Sequence, residues 1–259
     1  MSSHRVTRLN VTPVKGMRVQ HPEQIELTSA GAVGDRVFLF ADADGRLLSV
    51  PRLGALVRFT AGFEAATGRL AIRHDDGRIC AGEVVLGEAV TVTTSAGRQI
   101  EGNVVEGPWS CFVARIAGHP LRLVRPHLPG DAADAAGVTL LGEASVRALE
   151  RESGLGAIDS RRFRMLIEFD GDREHVEDEW EGRRVALGSA ELRVGGPVPR
   201  CAATTRDPDG GERDLPTVRA IKAYRGLRDT VFGPGAPFGV YADVVMPGRV
   251  RLGDHLRVG

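Results

Sequence analysis

The 259-residue chain has no net charge, because 34 basic side chains match 34 acidic ones. No overall field draws it to nucleic acid or an anionic membrane, and any basic site has to be a local cluster. No apolar run approaches the roughly 20 residues that span a bilayer, and the start, MSSHRVTRLNV, lacks the apolar middle of a signal peptide. A cytoplasmic location with no membrane partner is expected. There are only three cysteines, Cys80, Cys111 and Cys201, an odd number whose separations fit neither a zinc pattern nor an iron–sulfur cluster, so reduced thiols are expected. Seven scattered histidines give no helical or finger-type zinc spacing. Walker, Rossmann and nucleophile-elbow motifs are missing, which excludes the nucleotide-dependent enzymes and hydrolases that rely on them. No repeat of 20–50 residues sets aside solenoids and propellers.

What is present is a hydrophobic content of 42%, enough for packed cores, with 33 glycines and 14 prolines that punctuate short β-like runs. In the first half these runs are Arg5–Leu9, Gln24–Leu27, Val37–Ala41, Val57–Ala61, Leu70–Arg73 and Ala89–Thr93, the pattern of a β-barrel or sandwich. A helix over Trp109–Ala117 and a strand over Leu121–Arg125 follow. The polar segment Pro126–Asp134 then places a boundary between a first unit, 1–125, and a second, 126–259. In the second unit Leu141, Ala144, Ala148 and Leu149 fall at helical spacing, with a stop at Ser153-Gly154. Strands are predicted over Phe163–Phe169, Val185–Leu187, Glu191–Val194, Ala202–Thr205, Tyr241–Val245 and His255–Val258, and a helix from Pro216 to Tyr224. The fold class is mainly β with α/β elements.

Two constellations can carry chemistry. The first is Pro197-Val198-Pro199-Arg200-Cys201-Ala202-Ala203-Thr204-Thr205, where a cysteine follows a rigid proline turn beside an arginine that favours the thiolate. Such a sulfur can ligate a metal or carry a second sulfur. It can equally be a small hydrophobe that opens a buried strand, since cysteine is among the most buried residue types. The second constellation is basic: Lys15, Arg36, Arg52, Arg161, Arg162 and Arg164, each near a strand end. Arginine forks converging from several strands would bind a phosphorylated ligand; singly, each is a surface charge or the partner of an acid such as Asp35. Glu177-Asp178 before Trp180 reads as a turn that anchors the tryptophan rather than an acid/base pair. Gly233–Gly239 reads as a turn, and Tyr241 can reach a pocket or sit half-buried in a strand.

The ordered motifs Pro13-Val14-Lys15-Gly16, Gly34-Asp35-Arg36, Pro51-Arg52-Leu53, Gly142-Glu143-Ala144-Ser145, Arg162-Phe163-Arg164, Glu177-Asp178-x-Trp180, Arg200-Cys201-x-x-Thr204-Thr205-x-Asp207-Pro208, Tyr224-Arg225, Phe238-Gly239-x-Tyr241 and Gly253-Asp254 resemble the MOSC superfamily with its N-terminal β-barrel domain, the arrangement of the mitochondrial amidoxime-reducing component and its bacterial relatives. The resemblance implies an N-terminal β-barrel domain and a MOSC β-barrel domain with a cofactor cleft between them. It implies a molybdenum cofactor (Mo-molybdopterin) ligated by Cys201 as metal ligand and catalytic centre. Lys15, Gly16, Arg36, Arg52, Arg162, Arg164, Arg200, Thr204 and Tyr241 would bind the cofactor. Gly16, Met165-Leu166 and Ala135-Ala136 stand where relatives have serine, Pro-Asn and hydroxyl residues. The implied function is reduction of a small N-hydroxylated or N-oxide substrate, with electrons from a separate ferredoxin, flavodoxin or cytochrome b-type protein and its reductase. The alternatives are a sulfur carrier working through a Cys201 persulfide and a cofactor-free binding module.

Overall fold

Strict alternation of exposed and buried residues, as along Arg184–Leu187 and His255–Val258, demands a sheet with one dry face. The structure, a computed structural model, describes residues 3–259; the first two residues of the amino-terminal stretch considered above lie outside them. These two strands join five others in a closed seven-stranded barrel, in the order Ser3–Leu9, Ile167–Phe169, Val138–Gly142, Pro237–Met246, Ala190–Pro199, Arg184–Leu187 and His255–Val258. Val138–Gly142 and Ile167–Phe169 run parallel, and the helix Glu143–Ser153 lies in the crossover between them. Leu9, Leu140, Ile167, Leu192, Val240 and Leu256 fill the interior.

Division in sequence and division in space differ. Ser3–Leu9 belongs to the expected first unit, yet it pairs with Ile167–Phe169 on one side and His255–Val258 on the other. Gln24–Thr28 likewise pairs with Gly248–Arg251. The chain thus enters the carboxy-terminal barrel before it builds the amino-terminal unit, and Lys15 and Arg36 lie on the stretch that runs between them.

That amino-terminal unit has a five-stranded sheet, in the order Leu47–Leu48, Leu39–Ala41, Arg122–Pro126, Gln99–Glu106 and Val85–Thr93. Its outer edges curl together through a bridge between Arg46 and Thr93, where Thr93 N–H donates to Gly45 O at 2.8 Å. A three-stranded sheet of Phe59–Glu64, Arg69–His74 and Ile79–Glu83 shares the core of Phe38, Phe40, Phe59, Trp109 and Leu123. A further core, with Leu149, Phe163, Ile221, Phe238 and Tyr241, joins the helices Glu143–Ser153 and Thr217–Arg225 to the carboxy-terminal barrel.

The helix Trp109–Ala117 and the strand His255–Val258 have their predicted bounds. Elsewhere local hydrogen bonding overrides the apolar pattern. Ala202–Thr205 is a 3-10 turn and not a strand, because the Thr204 and Thr205 hydroxyls donate back to the carbonyls of Cys201 and Ala202 at 3.1 and 2.7 Å. Only Ile167–Phe169 of the stretch 163–169 is a strand. Asp159 caps a 3-10 turn over Ser160–Phe163, and Arg164 ends it with φ 54°. Leu141 lies in a strand ahead of its helix, and Gly233–Gly235 is one arm of a hairpin with Arg228–Thr230 rather than a turn.

Trp180 is buried, as the turn reading of Glu177-Asp178 requires. Glu177 itself is also buried, accepting the Ser145 hydroxyl at 2.8 Å, while the same hydroxyl accepts His175 N–H at 2.9 Å. Burial raises the Glu177 carboxyl to about 7 from an ordinary 4.5. Burial, and after it the Arg225 charge, lowers His175 to about 4 from 6.5. Between these values folded Glu177 keeps a proton that the unfolded chain has released, so its contribution is full below pH 4.5 and lost as pH rises towards 7. His175 acts oppositely: its contribution is present above pH 6.5 and lost as pH falls towards 4. The two offset each other in wild type. Glu177→Gln should therefore gain stability relative to wild type as pH rises from 4.5 to 7, by about 3 kcal/mol. Urea unfolding at stepped pH reads the difference, and a flat difference would contradict it.

Candidate functional site

Bulges in the pairing of Ala190–Pro199 with Pro237–Met246, on both sides of Pro197, break the ladder just before Cys201. Bulges re-aim the side chains that follow them. Arg200 N–H still donates to Ala236 O at 2.9 Å, after which Cys201 leaves the sheet in extended conformation and starts the turn Ala202–Thr205. Its side chain is exposed and unpaired, so the reading of Cys201 as a buried core residue is overturned. Cys111 is exposed as well, and Cys80 is half-buried.

Around this thiol the fold gathers cations from four sequence regions. Lys15 Nζ is buried and donates to Ala132 O at 2.6 Å and Asp134 Oδ1 at 2.7 Å. Arg36 pairs with Asp35 and donates to Arg164 O at 3.2 Å. Arg164 donates to Met17 O at 2.6 Å. Arg200 lies 5.5 Å from the Phe163 ring centroid and donates to Phe163 O and, at 3.2 Å, to Met165 Sδ. Arg36 and Arg164 both hold left-handed backbone, φ 48° and 54°, a strained choice for a side-chain-bearing residue. Each arginine touches the stretch that carries the other's neighbours, so the pair is interlocked across the two units.

The electrostatics confirm that these groups face one another. Burial lowers Lys15, partly restored by Asp134 and lowered again by Arg36 and Arg164. Burial, then repulsion from Arg36, lowers Arg164 to about 10. Burial would raise Asp134, but Lys15, Arg36 and Arg200 outweigh it and bring its carboxyl to about 2. Burial pushes the Tyr241 hydroxyl up to about 12, with Asp134 adding to the rise. Asp134 is solvent-exposed by surface area yet strongly desolvated by the surrounding protein, the combination expected of a group on the wall of a concave cleft.

The sequence pattern of the MOSC domain matches residues 128–257, and that of the MOSC N-terminal beta barrel domain matches residues 3–102. The chain belongs to the MOSC family. Bovine mitochondrial amidoxime reducing component 2 is 28% identical over 125 residues, 47% of this MOSC chain and 36% of that protein, so the match spans about a third of the relative's length. Among solved structures, the YuaD protein of Bacillus subtilis aligns over 99% of this chain and 96% of its own, with TM-score 0.46 and 11% identity. YiiM of Geobacillus stearothermophilus aligns over 48% and 54%, with TM-score 0.35 and 16% identity.

In this MOSC chain Lys15, Arg36, Arg164, Arg200, Cys201 and Tyr241 come together. Asp134 is the member that residue reasoning missed; a lone acid in a polar segment carries no signal until the fold places it beside Lys15. Four other expected cofactor ligands do not join this cluster. The Arg162 guanidinium is buried and its two terminal nitrogens are engaged, donating to Thr204 O, Arg206 O and both oxygens of Asp214 at 2.9–3.1 Å, while its Nε has no partner among the described residues. Thr204 is fully buried, its hydroxyl shared between Cys201 O and Thr217. Arg52 is exposed and turned towards Asp42, 3.9 Å away. Gly16 has φ 94°, and a Cβ there would come within 3.0 Å of Leu56, so it serves the turn that brings Lys15 inward. Met165 and Leu166 are buried in cores.

Arg162 and Thr204 thus shape the Cys201 loop from below. Arg162→Met should cost about 3 kcal/mol by stranding Asp214 and two carbonyls, and should speed Cys201 alkylation by a maleimide. Unchanged melting and unchanged alkylation would return Arg162 to the ligand-binding set.

Proposed function

We propose that this protein is a molybdenum-cofactor-dependent reductase of small N-hydroxylated or N-oxide compounds, fed by a separate electron-transfer protein. The observation that carries this reading is an exposed thiol, Cys201, beside four cationic side chains that among the described residues face two carboxylates, Asp35 and Asp134. The donor set fits such a group. Thiolate is the soft ligand that molybdenum takes, and surplus buried positive charge suits a phosphate.

Cys201 would hold the metal, while Lys15, Arg36 and Arg164 would hold the phosphate end, with Arg200 between. The cofactor would supply the two-electron chemistry, by which R–NHOH takes two electrons and two protons to give R–NH2 and water. The chain's own part is positioning. The Tyr241 hydroxyl, held protonated well above neutral pH, donates a hydrogen bond towards the substrate oxygen. The bovine relative is named as an amidoxime reducing component, which supports the substrate class. An exposed Cys201 also suits a persulfide carrier, and metal content separates the two readings.

Wild type expressed in a cofactor-competent host should contain near-stoichiometric molybdenum and reduce benzamidoxime with a supplied reductase. Cys201→Ser should lose turnover and most of the metal, whereas Cys80→Ala and Cys111→Ala should keep both. Full activity in Cys201→Ser, or no molybdenum in wild type beside a loaded control enzyme, would sink the reading. Arg164→Ala should keep the fold but release cofactor on gel filtration; a full retention of molybdenum would remove it from the phosphate end.

A further inference from the structure

The two carboxylates among the four cations are held in different ways. Asp35 is built in, with its side chain 7% exposed, Oδ1 accepting Thr12 N–H at 2.8 Å and Oδ2 paired with Arg36. Asp134 has 69% of its side chain exposed and is tied through Oδ1 to Lys15 at 2.7 Å; its Oδ2 accepts no hydrogen bond among the described residues. The backbone that carries Asp134 is fixed independently of this contact. Lys15 also donates to Ala132 O, and Arg98 donates to Asp131 O at 2.8 Å and Ala133 O at 2.6 Å. Ala132 is buried, and a Cβ on Gly137 would come within 2.6 Å of Gly31 Cα, so the segment is clamped at that end. The carboxylate can therefore turn about its Cα–Cβ bond while the chain stays in place. The carboxylate contacts Lys15 and lies within electrostatic reach of Arg36 and Arg200, which is where an entering phosphate would find most positive charge.

We propose that Asp134 is an internal counter-anion that competes with a ligand phosphate for Lys15, Arg36 and Arg200, and turns towards solvent when the phosphate takes its place. This rests on reading the cleft as the phosphate end of a cofactor site. In the exchange Lys15 keeps Ala132 O and trades one carboxylate oxygen for a phosphate oxygen. Without a counter-anion the clustered buried cations would repel one another at a cost in stability. With one, a singly charged anion gains little by displacing it, whereas a more highly charged phosphate gains charge-assisted bonds to several donors. The carboxylate thus supports the fold and sets a threshold for binding.

The test uses the full chain and inorganic pyrophosphate, followed by titration calorimetry at low salt. Asp134→Asn and Asp134→Ser should each bind pyrophosphate at least tenfold more tightly than wild type, and should melt at lower temperature before it is added. Asp44→Asn removes an equally exposed acid, 69%, and should stay within twofold of wild type. Lys15→Met combined with Asp134→Asn should lose the gain. Equal or weaker binding in both Asp134 variants, no binding in either, or a gain that survives Lys15→Met would each overturn the proposal. Because the readout needs no molybdenum, its failure is separate from that of the reductase reading: a chain that never loads molybdenum but tightens on pyrophosphate in Asp134→Asn keeps this inference and loses the other.

Discussion

Four cationic side chains forced into one partly buried cleft are the constraint around which the molecule is arranged. Each would be costly there without a partner, and together they repel. The fold answers each one separately. Lys15 is met by Ala132 O and Asp134, Arg36 by Asp35, Arg164 by Met17 O, and Arg200 by Phe163 O and its ring. Two of the four also sit in left-handed backbone, and strain of that kind persists only where the surroundings over-determine it. Here the surroundings are the closed barrel and the core beside it, whose members include Phe163, under Arg200, and Tyr241.

Cys201 is governed by the same arrangement. The turn it starts is held from below by Arg162 and Thr204 and from across the interface by Arg206, which donates to Pro51 O at 3.0 Å. Arg161 and Arg18 both reach Asp209 further along the loop. Neither unit alone therefore fixes the thiol. A change in how the two units meet would alter the loop and the cation cluster together, because Arg164, through Met17, and Arg206, through Pro51, cross the same boundary.

Much of this was legible in the sequence, and the gaps have physical causes. Period-two runs found the barrel strands that have one dry face, such as Arg184–Leu187 and His255–Val258, but not Val138–Gly142, which is buried on both faces. The turn at 202–205 and residues 163–166 ahead of Ile167 were read as strand because aspartate and threonine side chains compete for backbone groups in a way that apolar patterning does not register. Basic residues near strand ends pointed to the cluster, but sequence could not say which guanidinium would be used up by a neighbouring carboxylate. Arg162 and Arg164 are two residues apart in one motif; the first is spent on Asp214 and the second faces the cleft. Asp134 gave no signal, since its meaning depends on Lys15, 119 residues away. The resemblance to the MOSC family supplied what periodicity could not, namely that the cysteine and the cations belong to one site.

The overall charge balance of the chain then takes on a definite sense. Acids and bases cancel over the molecule, yet in the cleft the cations outnumber the carboxylates. Long-range attraction for polyanions is therefore weak, because the fixed charges cancel and salt screens what remains beyond a Debye length of about 8–10 Å. In the reading proposed above, neutrality outside and surplus positive charge inside would favour a compact anion over a polyanion. The exposed thiol at the same cleft adds a second requirement, a group able to take sulfur. Few small anions satisfy both, and that conjunction, more than either feature alone, ties Cys201 to the basic residues that surround it.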